Sequence, residues 1–175
     1  MARTNDPERG LWQNRRVVRI HSMNRLRSLI GMLPALLALA AAGSRAAEAL
    51  PVIELRLGAH TVRAEVAATE PARTLGLMHR KNPLAANRGM LFVFDAPNFH
   101  SMWMRNTFIP LSVAFIDERG VILNIADMMP LTTTPHTAAG FAKYALEMNQ
   151  GWFAERGIRA GSKVLGLERA AKPPQ

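Results

Sequence analysis

The chain has 175 residues, no cysteine and a formal net charge of +9. This length favours one domain with a short appendage. The lack of cysteine excludes disulfides, thiolate nucleophiles and zinc sites with cysteine ligands. Residues 1–46 carry eight Arg against two acidic residues, whereas the rest carries fourteen Lys and Arg against eleven Asp and Glu. Because most of the excess lies in the N-terminal segment, the charge does not predict a nucleic-acid-binding surface.

The N-terminal segment has the parts of a secretory signal peptide. Residues 28–42 form an uncharged apolar run that follows Arg25 and Arg27 and leads into small residues up to Ala49. A basic flank, a short apolar core and a small-residue exit are typical of such peptides. The run is shorter than the roughly twenty residues that span a bilayer. The alternative is an uncleaved helix, either buried or anchoring the chain in the membrane.

We therefore predict a signal peptide over residues 23–49, cleaved in its small-residue stretch between Ala42 and Ala49. Residues 1–22 are interpreted as a dispensable or misassigned extension, since Met23 begins a normal leader. The expected location is the periplasm or the medium, with membrane contact only through the uncleaved signal peptide.

The first elements of the remaining chain are a hairpin and a helix. Residues 52–57 and 61–67 alternate between apolar and polar side chains around the turn residues 58–60, which predicts two antiparallel strands. Thr69 is a plausible helix cap and Pro71 fits the first turn, so a short helix is predicted up to about Arg80.

The later segments are short strands separated by turns. Strands are predicted at 90–94, 112–116, 121–126, 142–148 and 163–167, with an extended segment at 100–105, a tight turn at 117–120 and a helical turn at 152–156. This pattern predicts a mainly β fold (α+β at most), a small barrel-like mixed sheet of seven or eight short strands with two short helices. The single β-rich domain is expected over residues 50–168, with residues 169–175 as a disordered tail. The side chains expected in the core are Ile53, Leu55, Val62, Phe92, Phe94, Val113, Phe115, Ile122, Ile125 and Leu146.

Five ordered blocks of sequence carry a resemblance to a known family. They are RTLGLMHR at 73–80, GMLFVF at 89–94, WMRNT with IPL at 103–111, FID at 115–117, and ALE ahead of Gly151 at 145–147. Through these blocks the chain resembles the domain of unknown function 192 family over nearly all of residues 50–168. The resemblance implies a compact, mostly β, barrel-like domain that is often exported in bacteria, and it implies no established activity. Arg105 stands where the family more often has Lys, so the positive charge is retained.

The segment 103–107 is the leading candidate for a binding site. Trp103, Arg105, Asn106 and Thr107 provide an aromatic face, a cation, an amide and a hydroxyl within five residues. Such groups can hold an anionic or sugar-like ligand by stacking and hydrogen bonds. The alternative is that Asn106 and Thr107 only form a side-chain-to-backbone turn.

We expect Arg73 and Arg80 from the predicted helix to share one pocket with this segment. The leading hypothesis is an exported, non-catalytic module without a cofactor, which binds a small polar ligand or an envelope partner protein.

Carboxylates support a second hypothesis, an envelope-acting enzyme that uses Glu147 or Asp117 with Arg73 or Arg80. Glu147 lies within a predicted buried strand, where a carboxylate needs a partner. An internal ion pair between Glu147 and Arg73, Arg80 or Arg105 is the simpler interpretation. Asp117 begins the turn at 117–120, and capping that turn is its simpler role.

A third hypothesis is a periplasmic copper-handling protein. His100, Met102 and Met104 are spaced by two, so they would project from one face of a strand. Imidazole and thioether ligands suit Cu(I), a soft ion. The simpler interpretation is that the two Met side chains fill gaps in the core and His100 lies at the edge of the strand.

Overall fold

The structure, a computed structural model, describes residues 49–170. The predicted extension over residues 1–22, nearly all of the predicted signal peptide and residues 171–175 of the predicted tail lie outside this range. No helix within residues 49–170 is long and apolar enough to cross a membrane.

The described chain is mainly β, as predicted, with a seven-stranded sheet and a separate two-stranded one. Its strands are β1 (Val52–Leu57), β2 (His60–Ala67), β3 (Arg88–Asn98), β4 (Ser101–Met102), β5 (Leu111–Ile116), β6 (Ile122–Met128), β7 (His136–Thr137), β8 (Ala142–Asn149) and β9 (Val164–Leu165). One α-helix, α1 (Glu70–Leu75), and two single-turn 3-10 helices (Ala154–Arg156 and Leu167–Arg169) complete the elements between residues 49 and 170.

The seven-stranded sheet curls into a half-barrel with the order β6-β5-β8-β3-β2-β1-β9. Neighbouring strands are antiparallel except β2 and β3, which are parallel because α1 crosses over between them. The two edges of the sheet meet at one end, where Val121 bridges Lys163 and the Val164 N–H donates to the Gly120 carbonyl at 2.8 Å.

Both faces of the sheet are covered, which explains the continuous apolar runs in its central strands. Every residue of β5 is buried, and so are residues 89–94 of β3. One face packs on Trp152, Phe153 and the strands at the β9 edge. The other face packs on Leu77, Met104 and Ile109, which belong to segments outside the sheet. Eight of the ten predicted core side chains are buried, and Ile53 and Ile125 are partly exposed.

Three predicted elements are shorter than the sequence indicated. The helix expected up to Arg80 ends at Leu75, because Gly76 leaves the helical region at φ 47° and packs closely against the Phe92 ring. The segment 100–105 is a strand only at β4, because the backbone turns at Asn106, with φ 55°. The last strand is limited to β9, and a 3-10 turn follows it.

Candidate functional site

A cleft of about 460 Å³ opens on the face of the sheet that carries α1. Residues 70 and 73–78 form one wall, residues 101–103 and 105–107 form the other, and Phe92, Phe94 and Glu147 lie between them. We call this the Glu147 cleft. It brings together six of the seven sequence-predicted ligand residues: Arg73, Trp103, Arg105, Asn106, Thr107 and Glu147.

Backbone hydrogen bonds hold the wall formed by residues 101–107. The Thr107 N–H donates to the Met104 carbonyl at 3.1 Å, which closes a turn around Asn106. Asn106 has a left-handed backbone, a conformation that asparagine tolerates better than most residues. Its carbonyl accepts from the His79 N–H at 2.9 Å and thereby links the two walls. The side-chain-to-backbone turn considered as the alternative is also present, because Thr107 Oγ1 donates to the Arg105 carbonyl at 3.3 Å. Trp103 is nevertheless 54% exposed at the cleft.

Arg73 joins α1 to β3 and has little capacity left for a ligand. Its Nη1 donates to the carbonyls of Ala68 and Val93 at 2.6 and 3.0 Å, and its Nη2 donates to Asp95 at 2.9 Å. The side chain is only 15% exposed. Arg73 therefore fixes the position of the helical wall, while Arg105 on the opposite wall is exposed.

Glu147 is the unusual group of the cleft, because its carboxyl is buried without a partner. The residue is 3% exposed, and no hydrogen bond or ion pair to its side chain forms within residues 49–170. The predicted ion pair with Arg73, Arg80 or Arg105 is thus absent. Among the described residues, every side-chain oxygen that is fully shut off from solvent has a hydrogen-bond partner. Because the Glu147 carboxyl oxygens have none, they must be open to the cleft that this residue lines.

Apolar neighbours determine the protonation of Glu147. On the sheet it pairs with Met90 of β3 and Val113 of β5, so an ionised carboxylate has apolar side chains on both sides. Burial raises the pKa of Glu147 to about 8, because the charged form loses its hydration. At neutral pH the cleft therefore contains a neutral carboxylic acid, which has one O–H donor and can also accept hydrogen bonds.

Arg80 was expected in the same cleft and lies outside it. Its two Nη atoms donate to the two carboxylate oxygens of Glu65 at 2.8 and 2.6 Å. Glu65 pairs with Met90 on the sheet and therefore shares a row with Glu147 two strands away. The hydrogen bonds from Arg80 lower the pKa of the Glu65 carboxyl. Arg80 therefore neutralises Glu65, one of the two acidic side chains in this row, whereas the other, Glu147, lines the cleft without a cation.

Asp117 also lies outside the cleft. It caps the turn before β6, where its carboxylate accepts from the Val121 N–H at 2.7 Å and from Arg119 Nε at 3.1 Å. Burial alone would raise the pKa of the Asp117 carboxyl, but the hydrogen bonds from Val121 and Arg119 and the Arg119 charge outweigh it and lower this pKa. The simpler role predicted for Asp117 is confirmed.

The three residues of the copper hypothesis have different surroundings. The His100 ring stacks on Phe94 with centroids 3.7 Å apart, and its Nε2 lies 2.9 Å from the Ala96 carbonyl oxygen. Met104 is fully buried in the core, and Met102 packs against the same cluster and lines the cleft. These contacts account for all three side chains without a metal.

Sequence reasoning missed the apolar part of the cleft. Phe92 and Phe94 were interpreted as core residues, and they also line the Glu147 cleft together with Leu77. Glu70, at the start of α1, was not singled out either. Apolar periodicity identifies a buried face, but it does not indicate where that face is left uncovered.

The part of the chain that forms this sheet and cleft matches a known family. Residues 52–166 match the family model DUF192, described as an uncharacterized ACR. The chain belongs to the DUF192 family. The matched range contains all nine strands and lies within the predicted 50–168. No curated protein matches the chain.

Solved structures give the DUF192 domain neighbours with the same fold. A protein of unknown function from Novosphingobium aromaticivorans is 36% identical with a TM-score of 0.64, over 67% of this chain and 86% of the other. A candidate transcription regulator from Sinorhizobium meliloti is 31% identical with a TM-score of 0.65, over 67% of this chain and 95% of the other. Neither description assigns a role to the residues of the cleft.

Proposed function

We propose that this DUF192 protein is an exported, non-catalytic module that binds a small polar ligand in the Glu147 cleft. The observation that carries the proposal is a single cleft that combines an exposed Trp103, an exposed cation at Arg105 and an unpartnered carboxyl at Glu147. Its size lies within the range of small-molecule pockets. The residues that line it do not include a histidine or a paired base and nucleophile, and the Ser101 hydroxyl is engaged by Thr137 at 2.8 Å.

A ligand screen tests the proposal. We expect a thermal-shift screen of the purified protein against envelope sugars, anionic metabolites, neutral amides and Cu(I) to find a stabilising compound. A ligand present at about 100 times its Kd adds about 2.7 kcal/mol of stability. Amide resonances of the cleft residues should shift on binding. Hits whose resonance changes all lie outside the cleft would contradict the proposed site.

Trp103→Ala should weaken binding of such a hit by about tenfold. The indole is exposed beside the cleft, and loss of a stacked aromatic removes about 0.5–1.5 kcal/mol beyond the contact area itself. Isothermal titration measures the change. Phe99→Ala is the matched control, because Phe99 is 55% exposed but does not line the cleft, and its ring packs on Phe141. Equal loss in both variants would mean that Trp103 has no specific role.

The export part of the proposal is supported by the Arg-flanked apolar run at residues 28–42. We expect N-terminal sequencing of the protein from a periplasmic extract to begin between Ala47 and Leu50. An intact leader on cytosolic protein would contradict export, and recovery in the membrane fraction would favour an uncleaved anchor.

Glu147 also favours a second candidate function, an envelope-acting enzyme that transfers a proton to its substrate. A carboxyl with a pKa of about 8 in a cleft can act as a general acid at neutral pH. Mass spectrometry of each screening hit after incubation tests this. Conversion by the wild type but not by Glu147→Gln, with binding retained, would favour the enzyme. Unchanged compounds in both samples would favour the binding module.

A further inference from the structure

We infer that the ligand of the Glu147 cleft presents a neutral amide-like head, with a donor beside an acceptor, to the Glu147 carboxyl and places an apolar body against the aromatic residues. This inference rests on the proposed function and names its ligand class. It starts from a side chain that is 3% exposed, has no partner within residues 49–170 and contacts the cleft.

The charges around Glu147 favour a neutral head. The strands beside it contribute Met90 and Val113. The charged residues that line the cleft are Glu70 and Arg73 of α1 and Arg105 of the opposite wall, and Arg73 is already paired with Asp95. On β2, two strands away, Glu65 is paired with Arg80.

Burial raises the pKa of Glu147, and none of these charged groups lowers it. Within residues 49–170 no cation forms an ion pair with the carboxyl, so an anionic ligand head beside it would meet no cation already in place. A cationic head would form an ion pair only if Glu147 ionised, which its apolar surroundings oppose.

A neutral carboxyl offers one O–H donor and one carbonyl acceptor side by side. A primary amide or a lactam offers the complementary pair, an acceptor carbonyl and an N–H donor. Two parallel hydrogen bonds would satisfy both partners away from bulk water, where an unpaired polar group is destabilising. This is the pairing that the buried carboxyl lacks within the protein.

The rest of the cleft suits an apolar body. Leu77, Met78, Phe92, Phe94 and Met102 line it, and Trp103 borders it with an exposed ring. Aromatic rings in such a cleft pair with a flat group by offset or edge contacts. An aromatic or aliphatic amide therefore matches both parts of the cleft.

Three probes that share one ring test the head group: benzamide, benzoate and benzylamine. Each is titrated into the isotopically labelled protein at about pH 6 and about pH 9, on either side of the Glu147 pKa, and resonances of the cleft residues are followed. We expect benzamide to bind at the lower pH and to bind about tenfold more weakly at the higher pH, since the ionised carboxylate no longer donates.

Two variants separate the head group from the fold. Glu147→Gln retains a neutral donor–acceptor pair, so it should bind benzamide with no difference between the two pH values. Glu147→Leu removes both groups and should weaken benzamide binding about tenfold or more at either pH. Two-dimensional amide spectra verify that each variant is folded.

The alternative outcomes are distinct. The amide head would be overturned if the protein bound benzoate better than benzamide. It would also be overturned if the protein preferred benzylamine and Glu147→Gln no longer bound it. In both cases the cleft would remain a binding site. Benzamide that binds Glu147→Leu as well as the wild type would also overturn the amide head. If no probe shifts cleft resonances, the amide head is rejected, whereas the proposed function is judged by the wider screen and by Trp103→Ala.

Discussion

Glu147→Gln is expected to make the protein more stable than the wild type at pH 8 and to remove a fall in wild-type stability that begins near pH 5. The cause is the difference between the pKa of Glu147 in the folded state, about 8, and its ordinary value of 4.5. Between these values the unfolded chain has released the proton and the folded protein still binds it.

The sign follows from proton linkage. A carboxyl whose pKa is raised by folding stabilises the folded state while both states are protonated, and this contribution is lost as pH rises through the window. Within the window the group lowers the folding equilibrium constant by up to about tenfold per pH unit, which amounts to about 400-fold between pH 5 and pH 8. Glutamine has nearly the same shape and no charge, so the variant should not show this fall.

Urea unfolding of both proteins at several pH values measures the difference in their free energies of unfolding. Subtracting one value from the other cancels the contribution of the titratable groups that both proteins share. Glu65→Gln is the matched control, because Glu65 lies in the same row of the sheet and is paired with Arg80. Its pKa is lowered, so its stabilising contribution is present at neutral pH and is lost below its ordinary value of 4.5. If the free energies of unfolding of the wild type and of Glu147→Gln changed in parallel with pH, the result would contradict a buried, unpartnered carboxyl at Glu147.

Gly89→Ala is expected to destabilise the protein by about 3 kcal/mol. Gly89 is buried in β3, and a Cβ there would lie 2.6 Å from the Glu147 backbone oxygen and closer still to Met148 Sδ. The sulfur can move, but the backbone oxygen can shift only if β3 and β8 separate. The substitution should therefore also disturb Glu147 and weaken binding in the cleft.

Urea unfolding measures the loss, and Gly140→Ala is its control. Neither glycine needs a left-handed backbone, and an added Cβ at Gly140 would meet only Leu123, at 3.6 Å. Gly140→Ala should remain within about 0.5 kcal/mol of the wild type. Equal stability of the two variants would contradict the close approach of β3 and β8 at Gly89.

The elements that were predictable from the sequence depend on local chemistry. The alternation of apolar and polar residues predicted both ends of β1 as observed and those of β2 to within one residue, since each strand has one apolar side. Thr69 caps α1 by accepting from the Ala72 N–H, as its residue type indicated. The clustered polar residues of segment 103–107 also pointed to one wall of the cleft.

The partners of the charged residues depended on the tertiary structure alone. Arg80 and Glu65 are fifteen positions apart, and Arg73 and Asp95 are twenty-two apart. These pairs form only because α1 crosses between the parallel strands β2 and β3, and nothing local favours them over a pair with Glu147. The sequence by itself determined most of the strands, the cap and the family. The order of the strands decided which carboxylate obtained a cation and which was left in an apolar cleft, because ion pairing requires contact in space and sequence patterns report only spacing along the chain.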